Sequence, residues 1–301
     1  MIMTIQSKAI KGHFAALFTI IVWGSTFVAT KVLLRQFGPV EIIFLRFLLG
    51  WSFMWVIRPK LLKVKNWKIE ILFALAGLTG VTMNYLLETY ALVYTQASNL
   101  AVIVSTAPLF VGIIAIFVLK QRLRWDFVLG FVLSIAGIYL ISFSDGSQLE
   151  IHLIGDLLGI AVALVWAVYS LIVEKISGND YDIILTTRRV FFYGIIFMLP
   201  FIWQGDTFRN PELWLQPTNL ILLLALGIIA CAVSYITWNY AVAKIGSVKS
   251  NLYFYGSPVV TILLSICFLE EQVTVKAVIG MTLTIIGVII SEGVLRRQNR
   301  S

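Results

Sequence analysis

The sequence predicts an all-α integral membrane protein with ten transmembrane helices in two inverted five-helix repeats. Three observations carry that prediction: an apolar composition, ten evenly spaced apolar runs, and a match of the chain to itself. Of 301 residues, 59% are hydrophobic and 13% charged, and the mean hydropathy is +0.93, whereas an average soluble domain is about 25% charged. A water-soluble globule is excluded. A helix that crosses the hydrocarbon core needs about 20 apolar residues, and with connectors each crossing takes roughly 28 to 30. Ten crossings use the whole chain and leave no room for a soluble catalytic domain.

The runs fall at about 13–34, 40–57, 69–92, 98–119, 125–143, 154–174, 183–203, 218–243, 247–269 and 275–294. Their length and their Leu, Ile and Ala content favour helices over barrel strands, which would alternate strictly over about ten residues. The first run is too long for a signal-peptide core and no small-residue cleavage site follows it, so it is expected to persist as the first membrane helix. The seventh opens next to Arg188 and Arg189.

Basic residues orient the chain. With a cytoplasmic N-terminus, sixteen of them fall in inner segments, among them Lys8, Lys11, Arg58, Lys60, Lys120, Arg122, Arg124, Lys244 and Arg296, and three (Arg35, Arg209 and Lys276) outside. The positive-inside rule then places both termini in the cytoplasm, as an even number of spans requires. The net charge of +8 is therefore a topology signal. No basic patch interleaved with exposed aromatics occurs in a soluble segment, so nucleic acid is not an expected partner.

Shifted by 150 residues, the chain superposes Gly77 on Gly227, Tyr85 on Tyr235, Tyr90-Ala91 on Tyr240-Ala241, Pro108 on Pro258, Gly130 on Gly280 and Gly137 on Gly287. A weaker shift of 143 superposes Gly12 on Gly155, Val22-Trp23 on Val165-Trp166 and Arg46 on Arg189. The chain reads as a duplicated five-helix unit, 1–145 and 146–301. Because five crossings are odd, the second copy enters from the opposite side, an arrangement typical of secondary transporters with a midplane site. The glycine pairs, seven residues apart, each lie on one helix face and allow close helix approach. Pro108 and Pro258, about a third of the way into helices four and nine, are expected to kink them, as gate hinges or as static packing features.

These features together resemble the EamA type of the drug/metabolite transporter superfamily. The resemblance rests on Trp23-Gly24-Ser25-Thr26 with Lys31, Trp166 with Tyr169, Tyr90-Ala91-Leu92, Tyr240-Ala241, and the two prolines. It covers nearly the whole chain and is specific for the superfamily, not for a substrate. It implies export of amino acids and related metabolites across the bacterial cytoplasmic membrane by alternating access. More distant relatives carry nucleotide sugars and phosphorylated sugars. Members usually carry a Glu after helix four and another after helix nine. Here Glu271 or Glu270 fills the second position, and Lys120-Gln121-Arg122 occupies the first.

Ionisable groups inside a bilayer are costly and mark candidate sites. Glu88 is the deepest acidic residue, and Asn84, four residues earlier, shares its face. The 150-residue shift places Tyr235 and Trp238 at the corresponding face of helix eight, with Asn239 beside them. These two faces are expected to line a central cavity with Trp23 and Thr26 of helix one and Trp166 and Tyr169 of helix six. Aromatic walls with a few polar groups suit a medium-sized amphiphilic solute, and Glu88 would meet an ammonium group or carry a coupling proton. The competing reading of the tryptophans is packing or interfacial anchoring, and that of Glu88 a structural hydrogen-bonded carboxylate. Arg46, Arg188 and Arg189 read either as a fork for a substrate carboxylate or, the preferred reading, as structural residues that pair with Glu41 or Asp182 or snorkel. Lys31 and Glu174 correspond under the 143 shift and read as interfacial or gate residues.

No cofactor or metal is expected. Cys231 and Cys267 lie in apolar runs and read as small buried hydrophobes, and neither His13 nor His152 lies in the membrane core. No P-loop pattern is present for ATP-driven transport. The alternative from another class is an integral membrane enzyme acting on a lipid-linked substrate, which would need an Asp, Glu, His or Ser cluster at a membrane face. The expected partners are a small metabolite and the lipid bilayer. One chain holds both halves, so a monomer suffices.

Overall fold

A computed structural model describes residues 2–64, 66–119, 125–142, 149–179, 181–204, 211–271 and 273–298. Every regular element among them is helical: α1 (Ile2–Leu33), α2 (Pro39–Ile57), α3 (Trp67–Gly77), α4 (Asn84–Tyr94), α5 (Ala97–Val104), α6 (Ala107–Leu119), α7 (Trp125–Ser142), α8 (Leu149–Ser177), α9 (Ile183–Gln204), α10 (Pro217–Leu224), α11 (Ser234–Ile245), α12 (Ser247–Asn251), α13 (Ser257–Leu269) and α14 (Val275–Gln298). Wider π-helical turns, Leu78–Met83 and Ala225–Val233, join α3 to α4 and α10 to α11 without interrupting the rod.

Local chemistry sets the ends. Asn66 accepts the Lys68 N–H at 3.0 Å to start α3. Asp182 Oδ1 accepts those of Ile184 and Leu185 at 3.0 and 3.2 Å to start α9. Pro39 and Pro217 occupy first turns, where no N–H is needed. Gly246, at φ 82°, closes α11.

Eight stretches are long and apolar enough to cross a membrane: Ile10–Leu33, Pro39–Ile57, Trp67–Tyr94, Ala97–Ile114, Leu153–Ser177, Ile183–Ile202, Pro217–Ile245 and Lys249–Leu269. They match eight of the ten expected runs. At the fifth and tenth the apolar stretches Val128–Leu140 and Val275–Gly287 are shorter. The outer surface carries Phe14, Val56, Val132, Tyr139, Ile221, Leu263 and Phe268, all exposed. In water this would be an untenable apolar surface, and in hydrocarbon it is the proper one. The protein is a multi-pass membrane protein.

Contacts interleave the two parts of the chain. α1 packs on α11 and α13, and α8, its counterpart, packs on α4, α5 and α6. α2 lies against the Ala225–Val233 turn, and α9 against the Leu78–Met83 turn. α7 and α14 pack along each other through the paired glycines: a Cβ on Gly137 would lie 2.5 Å from the Gly280 carbonyl oxygen, and one on Gly287 2.5 Å from that of Gly130. Between them Ser134 Oγ donates to Thr284 O at 3.2 Å and Thr284 Oγ1 to Ser134 O at 3.5 Å.

The prolines act differently from the expected kinks. Pro108 follows a complete break, with α5 ending at Val104 and α6 starting at Ala107. Pro258 lies in the first turn of α13, after a 3₁₀ turn over Leu252–Gly256. At such positions the missing N–H breaks no helical bond, so each proline starts a helix where an interior one would bend it.

Candidate functional site

The residues singled out from the sequence come from four rods, and the fold brings most of them together. α1 delivers Trp23, buried, with its indole N–H donating to Ala230 O at 3.0 Å. Its ring centroid lies 5.0 Å from that of Trp166 on α8, and 5.3 Å from those of Tyr235 and Trp238 on α11. Tyr169 adds a ring 4.9 Å from Trp166. These are contact distances for edge-on aromatic pairs. The rings meet each other between the rods. A cavity of about 150 Å³ lies among Trp51, Trp55, Leu61, Leu185, Arg188 and Phe192, of which Arg188 is one of the arginines read from the sequence as a possible carboxylate fork.

Around the rings runs a polar layer. Tyr169 donates to Asn239 Oδ1 at 3.1 Å, and Asn239 Nδ2 donates to Thr187 Oγ1 at 2.9 Å. Tyr235 donates to Gly80 O at 2.6 Å, inside the π-helical turn. Tyr169 lies so close to Gly80 that a Cβ there would stand 2.2 Å from the ring. Asn84 and Glu88 on α4 are both buried, and neither Asn84 Oδ1 nor Glu88 Oε1 has a hydrogen-bond partner. The indole N–H groups of Trp166 and Trp238 likewise find none. Leaving a buried polar atom unmatched costs about 1–3 kcal/mol, so four of them around one cluster are costly to folding and available to a solute.

Several expectations change here. Thr26 is buried, and its hydroxyl donates to Trp23 O of its own helix at 2.7 Å. Trp23, Trp166 and Trp238 are core residues, and interfacial anchoring is ruled out for them by burial. Cys231 is buried as expected, whereas Cys267 is exposed on the outer face. The three arginines part company. Arg188 donates both Nη atoms to backbone carbonyls, those of Arg58 and Lys60, and covers the Trp55 ring at 3.7 Å. Arg189 pairs with Glu70 at 2.5 Å. Asp182 pairs instead with Arg58 at 3.1 Å, and Glu41 accepts the Trp214 indole N–H at 2.6 Å. Arg46 neither pairs nor snorkels: it is fully buried beside the cluster, 4.5 Å over the Tyr85 ring. Phe47, Phe191 and Phe254 also belong to the cluster. Nothing in their sequence context separates them from ordinary packing residues.

The carboxylate after helix nine has a definite place. Glu270 turns the chain in the left-handed region at φ 57° and is exposed. Glu271 reaches the start of α5, accepting from Ala97 N at 2.8 Å, Ser98 N at 3.2 Å and Ser98 Oγ at 2.8 Å. Nearby, Lys31 donates to Thr95 O and Thr95 Oγ1 to Asp156 Oδ1 at 2.9 Å. The equivalent of Glu271, Gln121, lies outside the described residues with Lys120 and Arg122. At the start of α12 it is Glu174 that accepts from the Ser247 N–H and hydroxyl. Glu271→Ala is expected to lower stability by about 1–2 kcal/mol, the usual loss of a helix cap. Glu270→Ala should stay within about 0.5 kcal/mol. Thermal unfolding of the two variants in detergent compares them.

The profile of the EamA-like transporter family matches residues 10–143 and again 153–292. An "uncharacterized transporter" of Archaeoglobus fulgidus is 30% identical over 284 residues, covering 92% of this chain and 96% of that protein. A "probable terminal-alkyne amino-acid exporter" of Streptantibioticus cattleyicolor is 24% identical over 286 residues, 94% of each chain. A protein crystal structure at 17% identity superposes with a TM-score of 0.62 over 97% of this chain and 99% of its own, which shows the fold alone. Two successive family matches spanning most of the sequence, with relatives aligned end to end, place this chain in the EamA-like transporter family.

Proposed function

We propose that the protein is a secondary transporter that exports a small organic metabolite, such as an amino acid, across the cytoplasmic membrane by alternating access. The observation that carries this reading is the aromatic cluster between the rods, built from repeat-related residues such as Trp23 with Trp166 and Tyr85 with Tyr235 and edged by buried polar atoms without partners. Ten spans in two inverted repeats, divided near residue 145, with both termini cytoplasmic, fit the interleaved contacts and the two family matches. The helix breaks before Pro108 and Pro258 are natural hinge points. Trp23, Asn84, Glu88, Trp166, Tyr169, Tyr235, Trp238 and Asn239 would contact the solute once the rods part. The named exporter among the relatives supports the substrate class.

Reconstitution in liposomes with labelled amino acids, with and without a pH gradient, tests the reading. Saturable flux of at least one is expected, responsive to the gradient where a proton is coupled. Absence of flux for every small metabolite, with turnover of a lipid phosphate, would replace it with the membrane-enzyme reading.

A further inference from the structure

Arg46 is the one cation of the described residues that is wholly buried, and its surroundings do not satisfy it. It sits seven residues into α2, about 10 Å along the helix axis from its start, too deep for its guanidinium to reach water. Its Nε donates to Cys231 Sγ at 3.2 Å, a weak acceptor. Neither Nη1 nor Nη2 has a hydrogen-bond partner. Arg188 and Arg189 show how this protein treats structural arginines: the first fills its fork with two backbone carbonyls, the second with a carboxylate. Arg46 has the same fork and nothing in it. A buried cation left so is costly unless a partner arrives.

No partner comes from the described residues. Glu88 is buried on the neighbouring α4, one turn beyond the Tyr85 ring that Arg46 covers, yet no ion pair joins the two, and Glu88 Oε1 is itself unpartnered. A buried guanidinium and a buried carboxyl, each with an unpartnered polar atom and with no ion pair between them, match a solute that carries both signs.

We infer that Arg46 receives the carboxylate of the transported solute through its Nη pair, with Glu88 facing the amine. This rests on the transporter reading above and adds the residue that selects the anionic end. A planar fork suits a carboxylate bidentately. A phosphate dianion would stand against Glu88 with one cation to offset two charges, so the local balance favours a monocarboxylate.

The test uses the full-length protein in liposomes and the protein amino acids, each supplied as the free acid and as its amide, which keeps the amine and lacks the carboxylate. The expected result is that at least one acid is transported and its amide is carried at least about tenfold less well, the loss that goes with one charge-assisted pair. Arg46→Gln should remove the discrimination, and Arg46→Lys should restore part of it, since the charge remains and the fork does not. If acids and amides move equally in the unaltered protein, the inference is wrong whatever the variants do. A folded Arg46→Gln protein that still prefers the acid overturns it too. If no amino acid moves at all, the transporter reading fails first and this one with it.

Discussion

Gly137→Val leaves little folded protein, and Gly287→Val does the same. The added Cβ at residue 137 falls 2.5 Å from Gly280 O and 2.6 Å from Thr284 N, and that at residue 287 falls 2.5 Å from Gly130 O and 2.6 Å from Ser134 N. These are backbone atoms of the facing helix, so no side-chain rotation relieves the clash. α7 and α14 have to separate, which breaks the reciprocal Ser134 and Thr284 hydrogen bonds and opens voids along the seam. Overpacking costs about 1–3 kcal/mol per added group, and a valine adds three carbons against main chain. A loss of about 3 kcal/mol or more takes a large part of a typical stability of about 5–15 kcal/mol. Size-exclusion profiles and melting in mild detergent read it directly. Gly38→Ala, where a Cβ meets nothing within 4 Å, serves as the tolerated control. A monodisperse Gly137→Val protein with the original melting temperature would mean the helix seam is not as close as described.

Glu88→Gln abolishes most transport and leaves expression intact. Gln keeps the volume and the hydrogen-bonding capacity of the side chain and removes its charge and its exchangeable carboxyl proton. Glu88 Oε1 accepts no hydrogen bond from the described residues, so folding loses little. A solute amine or a coupled proton loses its acceptor. The expected fall in flux is about tenfold or more, in line with one missing charge-assisted contact, and any response to a pH gradient should flatten. Flux and gradient response equal to those of the unaltered protein would make Glu88 a structural residue.

Much of the aromatic cluster is legible in the sequence. Trp23, Trp166, Tyr235 and Trp238 could be grouped because the repeat aligns them and bulky aromatics in mid-span have few other uses. Asn84 and Glu88 followed from helical spacing. The back-bond of Thr26 to its own helix is not legible in the sequence, since a threonine hydroxyl can bond its own carbonyls or a neighbour. Arg46 read as a snorkelling or paired residue, since sequence spacing places it near a helix end and says nothing about the neighbouring rods. Whether a guanidinium is satisfied depends on side chains 39 and 185 residues away, Tyr85 and Cys231. The π-helical turns carry no pattern of their own and shift which residues face inward beyond them.

Glu271 and Glu174 lead to a consequence about direction. Glu271 grips the start of α5 from beyond α13, whereas Glu174 on α8 holds the start of α12 through Ser247. Opening a gap between Glu271 and the start of α5 breaks three hydrogen bonds, whereas a gap between Glu174 and Ser247 breaks two. Under the proposed alternating access these two ends would be unequal doors, and each 1.4 kcal/mol of difference between them would tilt the resting population about tenfold toward the door that opens more easily.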